Sequence, residues 1–147
     1  MFKKLLIATD GSDLSLKAID GGIALASSLN AKVVFLRVVP RYPTAYFEGA
    51  VVLNPADIGK IEDQWNAQAQ KTLDDACERA LRHAVKATAV TVKSDLVAEA
   101  VIAAAKKHKC DVIVMASHGY KAFKRMLLGS ETLNVLTHTH IPVLVLR

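Results

Sequence analysis

Cysteine is scarce in this chain: Cys77 and Cys110 are the only two in 147 residues. That is too few for a disulfide scaffold, and neither has the short-spaced partner expected of a zinc or thiol-redox motif. A reducing, cytoplasmic setting is the expectation. Cys77 falls on the apolar side of a predicted helix. Cys110 follows Lys106, Lys107 and Lys109, cations that lower a thiol pKa, yet it reads first as a residue at the start of a strand. Aromatic residues make up 5% of the chain and no basic stripe is interleaved with them, so despite a formal charge of +5 no nucleic-acid surface is expected. Long apolar runs are missing as well: none approaches the roughly 20 residues that span a bilayer. Lys3-Lys4 and Leu5-Leu6-Ile7-Ala8 are cut short by Asp10, so they read as a first strand and not as a signal peptide. Neither GxGxxG nor GxxxxGK[ST] occurs, which removes the dinucleotide fingerprint and the Walker loop. His138-Thr139-His140 has no carboxylate or cysteine close by, and Ser12, Ser117 and Ser130 lack an evident base and orienting acid. Neither a metal centre nor a nucleophilic triad is expected.

What the chain does have is apolar content, 52% of its residues, in a length that suits a single domain over 1–147. The apolar residues alternate between two patterns. Runs rich in β-branched residues predict strands over 4–9, 32–39, 87–93, 111–116 and 142–146. Helical spacing predicts helices over 14–29, 56–84, 96–108 and 130–137. Asp10-Gly11-Ser12-Asp13 supplies turn and cap chemistry for the first helix, and Gly21-Gly22 lets that helix lie close to a sheet. Ser94-Asp95 reads as the cap of the third. In the second helix Ile58, Ile61, Trp65, Thr72, Leu73, Ala76, Cys77, Ala80 and Leu81 share a face and predict core. Residues 40–55, with three prolines and Tyr42, Tyr46 and Phe47, show no period and predict a long surface loop. Strand–helix alternation of this kind predicts a parallel sheet with helices on both faces, the doubly wound α/β class. Ligands of such sheets bind beyond the carboxyl ends of the strands, where strand order reverses.

Two strand ends carry chemistry suited to a ligand. Thr9-Asp10 follows the first, and Ala116-Ser117-His118-Gly119 follows the fourth, with Gly129-Ser130-Glu131-Thr132 opening the last helix beyond it. Gly119 admits close backbone approach, while Gly129 and Ser130 place N–H groups at the positive end of a helix, where phosphate is stabilised. Lys121, Lys124 and Arg125 lie between, with no acidic residue from Gly119 to Ser130, and the local field favours a polyanion. Ser130 and Thr132 add hydroxyls for phosphate oxygens or a metal bound to them. Glu131 opposes this, so its carboxylate must point away from a bound phosphate.

Ile7-Ala8-Thr9-Asp10-Gly11-Ser12, Val112 to Gly119, Leu127-Leu128-Gly129-Ser130 and Ile141-Pro142-Val143-Leu144-Val145 together resemble the universal stress protein family, over essentially the whole chain. The resemblance implies an adenine nucleotide alpha hydrolase-like, Rossmann-like fold: a five-stranded parallel sheet ordered 3-2-1-4-5. Its ATP-binding branch has glycine, two residues, glycine, nine residues, then glycine and serine or threonine. This chain matches at Gly119, Gly129 and Ser130 and has Ala116 where the first glycine is expected. It also has Ser94-Asp95-Leu96 where many relatives carry a glycine and a proline. Position by position, the resemblance implies Asp10 accepting from the adenine amino group, with Ala8, Thr9 and Val38 around the base. It implies Met115 and Ala116 bordering base and ribose, His118 near sugar or α-phosphate, and Gly119, Gly129, Ser130, Glu131 and Thr132 meeting the phosphates. The implied ligand is ATP, or ADP or AMP, with Mg²⁺. The implied assembly is a homodimer through Val143 to Leu146, which as an edge strand would otherwise expose unpaired backbone groups. The expected role is a nucleotide-responsive sensor or regulator in stress response, at most a weak ATPase. Two alternatives stand beside it: a slow ATP-hydrolysing or phosphotransfer enzyme, and a dimeric regulator that binds a protein partner without nucleotide.

Overall fold

The computed structural model describes residues 1–41, 54–118 and 128–147. The elements run β1 (Lys4–Ala8), α1 (Asp13–Leu29), β2 (Lys32–Val39), α2 (Pro55–Arg82), β3 (Ala87–Lys93), α3 (Val97–Lys107), β4 (Val112–Ala116), α4 (Ser130–His138) and β5 (Val143–Leu146). The strands form one sheet ordered β3-β2-β1-β4-β5, all parallel. This is the predicted α/β fold with the implied order. β1 and β4 are hydrogen-bonded neighbours, with Leu5 opposite Val112 and Ile7 opposite Val114, and the chain turns to opposite sides of the sheet from that pair.

The central strands are apolar without alternation because both of their faces are covered. Leu5, Ile7, Val33, Phe35, Val112 and Val114 meet Ile19, Ile23 and Ala26 of α1 and Leu73, Ala76 and Ala80 of α2. On the other face Leu6, Val34, Leu36, Ile113 and Met115 meet Val101, Ile102 and Ala105 of α3 and Val135 of α4. Register between β1 and β4 is also held by a polar clamp: the Lys3 and Lys4 N–H groups donate to the two oxygens of Asp111 at 2.8 and 3.1 Å. Gly22 lets α1 approach the sheet as predicted, since a Cβ there would stand 2.4 Å from Ile7 Cδ1.

Two expectations are corrected here. Leu81 is 75% exposed: α2 buries Ala69, Leu73, Ala76 and Ala80, and Leu81 has turned away from that line, while Ile58, Ile61 and Trp65 are half-buried. Ser94-Asp95 does not cap α3. Ser94 Oγ accepts from Leu96 N at 3.1 Å and Asp95 Oδ1 from Arg41 N at 2.9 Å, so both side chains serve the connection before the helix. The predicted loop with Tyr42, Tyr46 and Phe47 lies largely outside the described residues.

Candidate functional site at the β1 and β4 tips

Beyond Ala8 the chain breaks from β1 into a tight turn. The Thr9 N–H still donates to Leu36 O at 2.9 Å, but its hydroxyl shares a 2.9 Å bond with Ser15 Oγ and accepts from Gly11 N. Asp10 Oδ1 accepts from Ser12 N at 2.9 Å, and Ser12 caps α1. Gly11 has φ +80, and a Cβ on it would lie 2.5 Å from Arg37 Nη1. The Arg37 guanidinium therefore sits against this turn, donating to Thr72 Oγ1 of α2 at 2.9 Å. Sequence reasoning missed Arg37. Its signal was a lone cation inside the valine-rich run of β2. Side-chain parity sorts the other residues: Ala8, Val38 and Met115 pack against the α3/α4 side of the sheet.

At the β4 tip one hydrogen bond ties the chain to β5 and two fix the first turn of α4. Ser117 N donates to Leu146 O at 2.8 Å, Gly129 N donates to Ser117 O at 2.6 Å, and Thr132 Oγ1 donates to Ala116 O at 2.9 Å. Two readings change as a result. The Gly129 N–H and the Thr132 hydroxyl hydrogen, both expected to serve phosphate, are committed to the β4 tip, and Thr132 is buried. Gly129, at the N-cap with φ −68 and ψ 155, gives α4 no side-chain cap, so the following N–H groups keep the helix's positive end. Ser130 is exposed there. Met115 and Ala116 are buried, and Ser117 Oγ bonds His118 Nδ1 at 2.9 Å. Gly119 and the basic residues Lys121, Lys124 and Arg125 lie outside the described residues.

Glu131 turns away from this end, as a phosphate site requires. Its Oε2 accepts from Ala98 N at 3.2 Å, in the first turn of α3. α3 has no side-chain cap of its own at Leu96, so Glu131 supplies one from a neighbouring helix. Among the described residues no group of three or more His, Cys, Asp and Glu could hold a metal. His138 instead donates from Nδ1 to Asn134 O at 2.8 Å. Cys110 is no reactive thiol: burial pushes its pKa up to about 11, Lys4 draws it down and Asp111 adds to the rise. Burial also raises the Cys77 pKa, with Asp74 adding to it.

The model of the universal stress protein family matches residues 1–147. The chain belongs to that family. Universal stress protein YxiE of Bacillus subtilis is 32% identical over 149 residues, covering 100% of both chains. The structure of universal stress protein UspA from Lactobacillus plantarum superposes with a TM-score of 0.83 at 22% identity, covering 99% of this chain and 98% of that one. A universal stress protein solved in complex with cAMP superposes with a TM-score of 0.70 at 26% identity, covering 99% and 97%. Among the described residues no helix of this universal stress protein is long and apolar enough to cross a membrane.

Proposed function

We propose that this universal stress protein is a single-domain, cytoplasmic, dimeric sensor or regulator in stress response that binds an adenine nucleotide at the β1 and β4 tips. The supporting observation is the juxtaposition itself: two hydrogen-bonded strands end side by side, one in the Asp10 turn and the other under an uncapped helix start. In this reading Asp10 accepts from the adenine amino group, and Ala8, Thr9 and Val38 surround the base. Met115 and Ala116 border base and ribose, and His118 stands near the sugar or α-phosphate. Gly119, Ser130, Glu131 and Thr132 meet phosphate through backbone N–H groups, with Gly129 shaping the cap. The cAMP complex of a relative supports an adenine ligand. ATP with Mg²⁺ is the proposed form. Mg²⁺ keeps several waters and binds phosphate oxygens in such sites, and Ser130, exposed at the first position of α4, offers a hydroxyl at the proposed phosphate end.

The proposed dimer pairs β5 with its copy. All four β5 residues are half-buried, and β4 is the only strand β5 pairs with among the described residues. Leu133 and Leu136 are 53% and 38% exposed on the flank of α4 opposite Glu131 and Asn134, adding apolar surface to the same edge. Mass spectrometry of small molecules released from freshly purified protein, followed by calorimetric titration with Mg-ATP, tests the ligand. An adenine nucleotide released, or one-to-one binding per protomer, is expected. Absence of both released nucleotide and binding heat would refute the reading.

A further inference from the structure

A groove of about 280 Å³ runs between α3 and α4, with Asp95, Leu96, Glu99, Ile102, Glu131 and His138 in its walls. Its apolar part centres on Leu96, 59% exposed, and on Ile102, which is buried beneath. Among the described residues its polar part carries three carboxylates and no lysine or arginine, in a chain whose formal charge is +5; Asp95 and Glu131 also accept from the Arg41 and Ala98 N–H groups. Glu99 makes no hydrogen bond or ion pair among the described residues, so its charge is available. The volume falls just short of the roughly 300–1,000 Å³ that encloses a small organic ligand, and suits one or two anchoring side chains. By helical spacing Glu131, Asn134 and His138 occupy the flank of α4 opposite Leu133 and Leu136, so a β5-mediated dimer would leave the groove open.

We infer that the α3/α4 groove docks a basic, apolar peptide segment of another protein, leucine-like side chains against Leu96 and Ile102 and a lysine or arginine beside Glu99. Charge complementarity selects the sign of the partner, and burial of Leu96 supplies the affinity that charge alone does not. The inference does not require nucleotide binding.

Fluorescence polarisation with a labelled peptide of lysine and leucine, and with its counterpart in which every lysine is glutamate, tests it. The lysine peptide is expected to bind and the glutamate peptide not to. The double variant Leu96→Ser/Glu99→Gln should weaken binding at least about tenfold, roughly 1.4 kcal/mol. The matched pair Leu81→Ser/Asp63→Asn on α2, which removes the same apolar and charged groups elsewhere, should leave binding unchanged. Failure of the lysine peptide to bind, equal binding of the glutamate peptide, equal loss in the α2 variant, or full displacement by spermidine would each overturn the inference. A change of oligomeric state in the groove variant would assign the groove to a second copy of this chain and overturn it too.

Discussion

A methyl group at Gly22 would have to displace the Ile7 side chain. A Cβ at that position would lie 2.4 Å from Ile7 Cδ1 and 3.0 Å from Ile7 Cγ1, and Ile7 is fully buried in the sheet. Gly22→Val should therefore cost roughly 1–3 kcal/mol in urea unfolding, overpacking outweighing what is gained in helix propensity. The paired glycines made this contact readable in the sequence, since glycine inside an apolar helix face has a packing reason more often than not. Cys110 was readable as a strand-start residue, but the charge that bears on it was not. Lys4, brought beside it by the β1–β4 pairing, is the cation that lowers its pKa, and burial outweighs it. Because the folded pKa is raised, the native state holds the thiol proton more tightly than the unfolded chain does. That contribution is whole below the ordinary value near 9 and is lost as pH rises through about 11. Urea midpoints should thus fall more steeply between about pH 8 and pH 11 in the wild type than in Cys110→Ala, which lacks the group. Identical slopes would contradict the assignment.

At the scale of elements, the apolar pattern placed every helix and strand within one or two residues of where it lies, because β-branched apolar runs and the 3.6-residue repeat are properties of each segment alone. Caps that come from another element were out of reach. Ser94-Asp95 has the right residue types before α3, yet the cap is Glu131, 33 residues beyond the Ala98 N–H it accepts from. Likewise the Gly129 N–H and Thr132 hydroxyl were available by local chemistry and are used by Ser117 O and Ala116 O once β4 lies beneath α4. Glu131→Ala should cost roughly 1 kcal/mol and speed hydrogen exchange at Ala98 and its neighbours in α3. Glu131→Gln, which keeps an accepting oxygen, should preserve most of that protection. Equal exchange in all three proteins would show that Glu131 does not cap α3.

For the whole molecule, strand alternation indicated a parallel sheet, while the order 3-2-1-4-5 came from resemblance, since nothing in a single sequence states which strands are neighbours. That order makes the β1 and β4 tips one place and leaves β5 at an edge. If the edge is the dimer contact, Leu133→Glu/Leu136→Glu, two substitutions at exposed positions, should shift the protein to a monomer in light scattering with little change in thermal stability. An unshifted dimer would place the interface elsewhere.

The central claim is that phosphate sits on the open start of α4, and Gly129→Asp tests it most directly. With φ −68 and ψ 155 the position accepts aspartate, a favoured N-cap, whose carboxylate would take the N–H groups proposed for phosphate and repel the anion. Calorimetric titration with Mg-ATP should show affinity reduced by at least about tenfold, while the melting temperature of the free protein is unchanged or raised. Undiminished affinity in a folded Gly129→Asp protein would contradict the account.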